Sequence, residues 1–366
     1  MMEMKKIGLL LFGFIVIILS ACDLLGTAEA DQDNEPTPYE RMDFSMNTPV
    51  HIRIFDVECD GSQPDARCGL IDEAFELIFD LEQRLTVNDV GGEVERINEM
   101  AGIEAVVVEE DTFYLIEQAI YYSIYSDQFF NATIGALTRL WNINMEGARR
   151  PDDEEIAAVL PLLDPARVIL DDEARTVFLE EVGMRLDLGA IAKGFMADEV
   201  ADLFTSNGVE RAIITIGGEV LTIGDRHDGI PFNIGINSPF PEEHGRAIVG
   251  IIRATDQAVV TSGTYNRYLM NQNTGMIYHH IFDSRTGFPF DTDIVSITVV
   301  AETGLLGEVY TTIIFAKGLE DGLAYVEAHP GIEAMVITRD MGIYLSSGLQ
   351  EVFRLELPDD FEIRTP

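Results

Sequence analysis

The spacing of apolar residues predicts short strands and helices in the first part of the chain. Apolar and polar positions alternate over residues 50–57, as in a half-buried strand. Ile71, Phe75, Ile78, Phe79 and Leu85 keep helical spacing, which predicts an amphipathic helix over residues 70–85. The same criteria predict a strand over residues 103–108 and helices over residues 93–100, 112–126, 133–141 and 152–160.

The chain becomes rich in strand patterns after Pro165. Strands are predicted over residues 176–179, 185–188, 211–216, 232–236, 247–252, 258–261, 278–282, 296–301, 334–337, 342–345 and 352–355. Helices are predicted over residues 190–204, 305–315 and 321–329. Because helices occur in clusters and strands in consecutive runs, the pattern predicts an α+β fold of mainly antiparallel sheets flanked by helices.

The N-terminus carries the pattern of a bacterial lipoprotein signal. Lys5 and Lys6 precede an apolar run over residues 8–19, which is short for a permanent membrane span. The run ends in Leu19-Ser20-Ala21-Cys22, small residues followed by a cysteine, and this resembles a lipobox. We therefore expect a signal peptide over residues 1–21 and a lipid anchor on Cys22, with several acyl chains for stable attachment. A signal peptide that is cut elsewhere, or an uncleaved membrane helix, is the alternative.

The residues after Cys22 predict an acidic tether. They carry acids and prolines and few large apolar residues, so we assign residues 22–40 to the tether and residues 41–366 to one domain. A lipoprotein of this design would lie outside the cytoplasm, anchored to the cell membrane. In a cell with two membranes, Asp23 directly after the cysteine resembles the signal for retention at the inner membrane, on its periplasmic side.

Acidic residues dominate the chain, whose formal net charge is −40 and whose pI is near 4.2. This balance excludes nucleic-acid binding, because phosphate backbones require a basic surface. Four lysines occur, at positions 5, 6, 193 and 317. The composition suggests adaptation to high salt, where screening relieves the repulsion among acids.

Cys59 and Cys68 are the two cysteines that follow the signal segment. Gly61 and Pro64 between them allow a tight loop, and an oxidising compartment permits a disulfide. A metal-binding pair is the weaker alternative, because no histidine or further cysteine lies nearby in the sequence. We expect a structural disulfide.

The clearest local signal for chemistry is the run Asp187-Leu188-Gly189-Ala190-Ile191-Ala192-Lys193-Gly194-Phe195. The pattern predicts a strand that ends at Asp187, a sharp turn at Gly189 and a helix that begins directly afterwards. The free N–H groups at the start of a helix favour anions, and Lys193 lies on that first turn. A capped helix with one surface lysine is the alternative, since such junctions are common.

Two later segments carry hydroxyl, imidazole and charged groups. The segment Thr261-Ser262-Gly263-Thr264-Tyr265 suits phosphate or ribose contacts, or forms an ordinary polar turn. The segment His280-Ile281-Phe282-Asp283-Ser284-Arg285-Thr286-Gly287 places a histidine, a carboxylate and a guanidinium together. Histidine can act as a general base near neutral pH. A strand that ends in a turn stabilised by an Asp–Arg pair is the alternative.

Three oxygen-bearing side chains share one face of the predicted helix over residues 305–315. Glu308, Thr311 and Thr312 are three and four residues apart, so their side chains are neighbours. Oxygen ligands suit a hard cation such as Mg²⁺, which retains positions for water and substrate phosphates. Without other context, a plain polar helix face is the favoured explanation of these residues.

Together and in this order, these segments resemble the ApbE-type flavin transferases, from about Met46 to the late helices. Two runs are specific to that family, the one from Asp187 to Gly194 and the one from His280 to Gly287. The resemblance also includes Met46-Asn47-Thr48, Glu93-Val94-Glu95-Arg96-Ile97-Asn98, Phe130-Asn131-Ala132-Thr133-Ile134-Gly135, Leu140-Trp141 and Gly217-Gly218-Glu219. It implies an ApbE-like, T-fold-like form of the α+β architecture.

The resemblance also implies roles for individual residues. An FAD site would be lined by Met46, Asn88, Phe129, Phe130, Asn131, Asp187, Lys193 and Phe282. Mg²⁺ would be held by the carbonyl of Ala190 and the side chains of Glu308, Thr311 and Thr312. His280 would be a candidate base or an ordering residue, and Lys193 and Asp187 are the other catalytic candidates.

Four positions depart from the family pattern. Asn131 and Glu308 stand where the family usually has Asp, so one carboxylate is lost and another gains a methylene. Asn47 replaces a glycine, which requires a left-handed backbone that Asn tolerates. Ser284 replaces the usual proline. These departures concern single contacts with cofactor or metal and leave the family resemblance intact.

The implied reaction is transfer of FMN from FAD to a Ser or Thr hydroxyl of an acceptor protein, with release of AMP and assistance from Mg²⁺. The implied acceptor is a flavoprotein subunit of a membrane redox complex. A metal-dependent FAD pyrophosphatase, in which water replaces the protein hydroxyl, is one alternative. A flavin-binding lipoprotein without turnover is the other, and the Asn131 and Glu308 departures keep it open.

Overall fold

The computed structural model describes residues 37–60, 62–87, 91–226, 229–245, 247–265, 267–270 and 275–365. The expectations for the signal peptide, for Cys22, for most of the tether and for Asn88 fall outside these residues. Among the residues described, no helix combines the length and the apolar character that a bilayer crossing requires.

The helices of the described chain belong mainly to two stretches, before and after a long β-rich region. They are α1 (Leu70–Leu85), α2 (Glu93–Glu99), α3 (Glu110–Tyr125), α4 (Gly135–Trp141), α5 (Asp153–Val159), α6 (Ala192–Ser206), α7 (Pro241–His244), α8 (Gly304–Lys317) and α9 (Leu319–Glu327). Capping groups define several ends; Thr303, for example, accepts a bond from the N–H of Leu306 at the start of α8.

The strands are short, and most are paired with a neighbour in the chain. They are β1 (Tyr39–Ser45), β2 (Thr48–Ile54), β3 (Val106–Val107), β4 (Val168–Asp171), β5 (Thr176–Leu179), β6 (Ala212–Ile216), β7 (Glu219–Ile223), β8 (Phe232–Asn237), β9 (Ile248–Ala254), β10 (Ala258–Gly263), β11 (Tyr268–Met270), β12 (Ile277–His279), β13 (Phe282–Asp283), β14 (Phe288–Pro289), β15 (Ile294–Ala301), β16 (Glu333–Thr338), β17 (Gly342–Leu345), β18 (Phe353–Leu355) and β19 (Glu362–Arg364).

A nine-stranded sheet forms the centre, in the order β1-β2-β6-β7-β10-β15-β16-β17-β19. Its neighbouring strands are antiparallel except for β17 and β19, which are parallel. Two three-stranded sheets, β18-β9-β8 and β3-β5-β4, and the pairs β11-β12 and β13-β14 complete the described sheets. The predicted α+β fold with mainly antiparallel sheets is therefore confirmed.

Both faces of the central sheet are covered. Ile214 packs in a core with α1, α3 and α6, while its neighbour Ile213 packs in a second core with β8 and β9. Val299 likewise faces α8 and α9, and Val300 faces the second core. Successive side chains of a strand point to opposite faces, so a sheet covered on both sides requires continuous apolar runs. The interior strands of this sheet have such runs.

The predicted strand over residues 185–188 is wrong. The apolar alternation is real, since Met184, Leu186 and Leu188 are buried. The hydrogen-bond partners of this segment's backbone, however, belong to a side chain and to a loop, and not to a neighbouring strand. The Leu186 N–H donates to Asn98 Oδ1 at 2.6 Å, and Asn98 Nδ2 donates to the Leu186 carbonyl at 3.0 Å. Asp187 therefore follows an extended segment that belongs to no sheet.

The predicted disulfide is confirmed. Cys59 and Cys68 are joined, with their Cα atoms 5.8 Å apart. Asp65 and Arg67, inside the loop, are tied by an ion pair, and Arg67 also pairs with Asp56. The alternative of a metal-binding cysteine pair is therefore wrong, and the loop is held covalently and electrostatically beside the end of β2.

Candidate active site

Asp187 lies in the turn that leads into α6, and it is held from two sides. Its Oδ2 accepts a hydrogen bond from Thr138 Oγ1 on α4 at 2.9 Å. Its Oδ1 accepts one from the N–H of Gly189 at 3.0 Å. A Cβ at Gly189 would lie 3.1 Å from that same Oδ1, so the absence of a side chain leaves room for the turn. The carboxylate therefore has a fixed orientation at the start of α6.

Lys193 meets Glu308 at the point where α6 and α8 pack together. Lys193 Nζ lies 2.5 Å from Glu308 Oε1, with 22% of the lysine side chain and 6% of the glutamate side chain exposed. Two residues that are far apart in the sequence thus form a largely desolvated ion pair. Such a pair is sensitive to any added charge, because the low dielectric around it strengthens electrostatic interactions.

Thr311 and Thr312 lie beside Glu308, as the helical spacing predicts. Thr311 Oγ1 donates to the Glu308 carbonyl at 2.8 Å and accepts from Ser262 Oγ on β10 at 3.0 Å. Thr312 Oγ1 donates to the same carbonyl at 3.4 Å. Ala190, whose carbonyl is the fourth candidate ligand, is exposed in the turn before α6. The segment from Thr261 to Tyr265 therefore reaches the site through Ser262.

His280 is a neutral imidazole whose Nε2 has no hydrogen-bond partner among the described residues. Its Nδ1 lies 3.1 Å from the carbonyl oxygen of Arg267, and because a carbonyl only accepts, Nδ1 carries the proton. Burial and the positive charges of Arg267 and Lys193 lower the pKa of His280 to about 4. Nε2 therefore holds a lone pair at neutral pH. The predicted strand over residues 278–282 is interrupted here, between β12 and β13.

Phe282 packs against the only tryptophan of the chain. The centroids of Phe282 and Trp141 are 5.4 Å apart, and Trp141 Nε1 donates to the carbonyl of Gly287 at 3.0 Å. Arg285 Nε pairs with Asp283 Oδ1 at 2.7 Å, so the predicted Asp–Arg turn is present. The segment that begins at His280 therefore contains both the imidazole and the stabilised turn that the sequence left as alternatives.

Two cationic side chains lie against the ring of Phe129. The guanidinium carbon of Arg285 lies 4.5 Å from the ring centroid, and Lys317 Nζ lies 4.4 Å from it. Each contact is a cation–π interaction of the kind that contributes about 0.5–1 kcal/mol at an exposed site. Phe129 thereby joins the end of α3, the end of α8 and the turn after β13.

Asn131 is buried and serves the scaffold. Its Nδ2 donates to the carbonyl of Leu163 at 2.8 Å, and its Oδ1 accepts from the N–H and Oγ1 of Thr133. An ionised aspartate could not donate to Leu163, so the departure from the family pattern has a physical reason here. Phe130 beside it is buried in the core with α1, α3 and α6.

The departures at Asn47 and Ser284 also have structural explanations. Met46 and Asn47 both have positive φ, 51° and 56°, in the turn between β1 and β2, so the left-handed backbone expected for Asn47 is confirmed. The Met46 N–H donates to Glu82 Oε1 on α1 at 2.8 Å. Ser284 is buried and donates through Oγ to the Gln128 carbonyl at 3.3 Å, a bond that proline could not make.

The ApbE family model matches residues 46–336, most of the described chain. The chain belongs to the ApbE family.

Several proteins and solved structures support this ApbE membership. A protein named FAD:protein FMN transferase from Klebsiella pneumoniae strain 342 is 41% identical over 302 residues, which cover 82% of this chain and 90% of that one. One of the same name from Treponema pallidum is 30% identical and covers 91% of this chain and 94% of its own.

Solved ApbE structures share the fold of this chain. The ApbE protein of Thermotoga maritima superposes with a TM-score of 0.77 at 29% identity, covering 87% of this chain and all of that one. The flavin transferase ApbE of Vibrio cholerae gives a TM-score of 0.72 at 26% identity over 86% of this chain and 99% of its own.

Two carboxyl groups of this ApbE chain, the buried Glu219 and the half-buried Asp198, were not given a role from the sequence. Glu219 on β7 is fully buried, and neither of its oxygens has a hydrogen-bond partner among the described residues. Burial, and then the negative charges of Glu308 and Asp198, raise the pKa of Glu219 well above its usual value. Burial also raises the pKa of Asp198 on α6, to about 6. The sequence signal for Glu219 was its place after Gly217 and Gly218, which indicated the family but no role.

The donor set fits a hard cation. Among the described residues, no group of three or more His, Cys, Asp or Glu side chains is arranged to hold a metal ion. The candidate site therefore depends on one carboxylate, two hydroxyls and a carbonyl. Glu308, the carboxylate, is almost fully buried and already has a cation, the ammonium group of Lys193, at 2.5 Å. A position that accepts a positive charge among oxygen donors suits Mg²⁺.

Proposed function

We propose that this chain transfers FMN from FAD to a Ser or Thr hydroxyl of an acceptor flavoprotein and releases AMP. The observation that carries the proposal is the buried contact between Lys193 and Glu308. The neutral imidazole of His280 lies close enough for the charge of Lys193 to lower its pKa. The family supports the same chemistry, because its curated relatives bear the name FAD:protein FMN transferase. We infer that the FAD site includes Met46, Asn88, Phe129, Asp187, Lys193 and Phe282, and that the buried Phe130 and Asn131 support it from the scaffold.

The transfer step is a displacement at phosphorus. The acceptor hydroxyl oxygen forms a bond to the phosphorus on the riboflavin side of FAD, and the bond from that phosphorus to the bridging oxygen breaks. AMP leaves with the bridging oxygen and its electron pair. The hydroxyl proton goes to Nε2 of His280, which has a free lone pair in this structure. Catalysis of this type depends on positioning and on neutralisation of charge.

Lys193 supplies a positive charge where the diphosphate needs one. Since the chain has a formal net charge of −40, a diphosphate requires local cations to bind at all. The carbonyl of Ala190 with Glu308, Thr311 and Thr312 would hold Mg²⁺, which neutralises charge on the phosphate oxygens when bound. Lys193 would then be free to turn from Glu308 towards the phosphates, and Asp187 would keep the turn before α6 in place.

The bound diphosphate also prepares His280 for its role. The low pKa of His280 makes the imidazole a weak base in the free protein. A negative diphosphate nearby favours the protonated form and therefore raises that pKa. The imidazole of His280 is therefore a stronger base when the substrate is bound. It stays unprotonated when the substrate is absent.

We propose that the protein acts outside the cytoplasm, held at the membrane by a lipid on Cys22, where its acceptor is a subunit of a membrane redox complex. In a cell with two membranes it would lie on the periplasmic side of the inner one. Support comes from the lipobox-like run before Cys22 and from the disulfide between Cys59 and Cys68, which requires an oxidising compartment.

One assay tests the reaction against hydrolysis of FAD. The purified protein is incubated with FAD and Mg²⁺, with and without an acceptor flavoprotein, and AMP is measured. We expect AMP release to depend on the acceptor and to match the FMN bound to it. Equal AMP release without the acceptor would show a pyrophosphatase, and a protein that binds FAD but never releases AMP would show a binding protein.

A further inference from the structure

Helices α6 and α8 are in backbone contact where Gly194 faces Gly304. A Cβ on Gly194 would lie 2.3 Å from the carbonyl carbon of Gly304, and one on Gly304 would lie 1.9 Å from Glu219 Oε1. Neither position has room for any side chain, because packed atoms do not approach so closely. The crossing of the two helices is therefore fixed by three residues, two glycines and the buried Glu219 beneath them.

Asp198 fastens this crossing. Its Oδ1 accepts the N–H of Gly304 at 2.7 Å, and its Oδ2 accepts the N–H of Leu305 at 2.9 Å. The first N–H groups of a helix have no partner within the helix, so a carboxylate that accepts two of them stabilises the helix end. The carboxylate that caps α8 belongs to Asp198 on α6. The capping hydrogen bonds therefore also link α6 to α8.

The groups that the proposed reaction needs lie directly beside this crossing. Lys193 precedes Gly194 on α6, and Glu308 follows Gly304 by about one turn of α8. A sliding or rotation of α8 against α6 would therefore change the separation of Lys193 Nζ and Glu308 Oε1, now 2.5 Å.

We propose that Asp198 is a positioning residue: its carboxylate holds the start of α8 against α6 and thereby sets the separation of Lys193 and Glu308. The structural part of this proposal stands on the two hydrogen bonds of Asp198 and on the glycine contact, and its link to flavin transfer rests on the proposed function. Burial alone would disfavour this carboxylate, so the two N–H groups that it accepts are needed to keep it ionised at neutral pH.

The test uses the chemistry of the lysines themselves. Lys193 and Lys317 are the lysines in the described residues, and they lie on different helices at different sites. The full-length protein is treated with a limiting amount of an amine-reactive acylating reagent. Peptide mass spectrometry then measures the acylation rates of Lys193 and Lys317. We expect Asp198→Ala to raise the Lys193 rate relative to that of Lys317 about fivefold, as for an ion pair weakened by ~1 kcal/mol. Asp198→Asn retains one acceptor oxygen, and we expect it to raise the ratio of the Lys193 rate to the Lys317 rate about twofold.

Asp202→Asn is the matched control, since Asp202 lies one turn further along α6, is exposed, and does not bond to α8. We expect it to leave the ratio unchanged. A ratio that stays at the wild-type value in both Asp198 variants overturns the proposal. Rates that rise equally at Lys193 and Lys317 overturn it as well, because that result indicates general loosening. If Asp198→Ala does not fold, Asp198→Asn alone decides.

A kinetic measurement tests the link to function separately. We expect Asp198→Ala to lower kcat of FMN transfer about tenfold or more, with KM for FAD changed by less than about threefold, because misplaced groups lose transition-state contacts first. Unchanged kcat in a variant with a raised labelling ratio would contradict the functional link. A wild-type protein that transfers no FMN would instead refute the proposed function, and the labelling ratio would still report on Asp198.

Discussion

Single residues in this site have tasks that their types alone do not show. Asn131 lies in a family motif, yet its side chain bonds to groups of the scaffold, the Leu163 carbonyl and Thr133. Lys193 is one of four lysines, and the structure places it against a carboxylate that is almost fully buried. A side chain whose partners all belong to the scaffold has a structural role. A side chain that can also contact a ligand can take part in the chemistry.

Asn131→Asp tests the scaffold role. The ionised carboxylate would face the carbonyl of Leu163 without a proton to donate, so we expect a loss of about 1–3 kcal/mol in the free energy of unfolding. Urea unfolding measures it. Asn142→Asp is the control, because Asn142 Nδ2 also donates to a carbonyl, that of Glu146, but at an exposed site. Equal losses in the two variants would contradict a special role for burial at Asn131.

His280 gives a prediction about pH. Its pKa of about 4 means that the imidazole stays neutral as the pH falls from 8 to 5 and gains its proton only below that range. We expect the histidine NMR signal that disappears in His280→Gln to keep its neutral chemical shift between pH 8 and pH 5. A titration with a midpoint near the ordinary value of about 6.5 would show that the surroundings of this imidazole do not disfavour its charged form.

At the scale of elements, the site is built from two helices and one strand end. α6 contributes Lys193, α8 contributes Glu308 and the two threonines, and β10 contributes Ser262. The crossing of α6 and α8 determines whether these groups meet, and it depends on residues without side chains.

Gly304→Ala tests that crossing. The new methyl group would lie 1.9 Å from Glu219 Oε1, so α8 must shift or the protein must lose stability. We expect a loss of about 1–3 kcal/mol in the free energy of unfolding, the usual cost of overpacking, from urea titration. Gly69→Ala at the start of α1 is the control, since no atom lies within 4 Å of its Cβ position. Native stability for Gly304→Ala would show that the helices do not need this contact.

The helices and interior strands of this fold are largely predictable from the sequence, because a buried face has a regular period. The predicted helix over residues 70–85 has the bounds of α1, whose apolar face is complete. Strand β1 was missed, since it is an edge strand whose residues are mostly exposed and show no such period. The interior strand β7 was also missed, although most of its residues are buried. The strand over residues 185–188 was wrong because its bonding partner is the side chain of Asn98, which no local pattern shows.

The candidate site was only partly predictable. The spacing on α8 placed Glu308, Thr311 and Thr312 on one face, as the structure has them. The contact between Lys193 and Glu308 joins distant parts of the chain. The family resemblance placed Lys193 at the FAD site and Glu308 at the metal site, but neither it nor local reasoning predicted the ion pair. Asp198 had no signal, and Glu219 had only its place in a family motif, because a desolvated acid looks in the sequence like any other acid in an acid-rich chain.

For the whole molecule, the dominant property is negative charge. With 64 acidic and 24 basic residues, acids repel one another wherever arginine does not pair with them. Several of the described pairs, such as those of Arg41, Arg149 and Arg364, lie at partly exposed positions, where each contributes little. Screening by salt should therefore matter more for this fold than any single ion pair.

We predict that the melting temperature rises by about 3 °C or more between 0.05 and 1 M NaCl, which for a chain of this size corresponds to about 2 kcal/mol of relieved repulsion. Differential scanning calorimetry measures it. An uncharged osmolyte at matched osmolality is the control, and it should not reproduce the salt effect at the same size. A melting temperature that does not respond to NaCl would contradict adaptation to high salt.

We propose that Lys193 binds the diphosphate of FAD during transfer of FMN, and that Glu308, with oxygens of α8 and of the turn before α6, would hold the Mg²⁺ that neutralises the phosphate charge. The most direct test is the intact mass of an acceptor flavoprotein after incubation with FAD, Mg²⁺ and the protein. We expect wild type and Arg354→Ala, an exposed control, to add one FMN per acceptor, while Lys193→Ala and Thr312→Ala slow the addition at least about a hundredfold. Addition at the wild-type rate by Lys193→Ala and Thr312→Ala would contradict the claim.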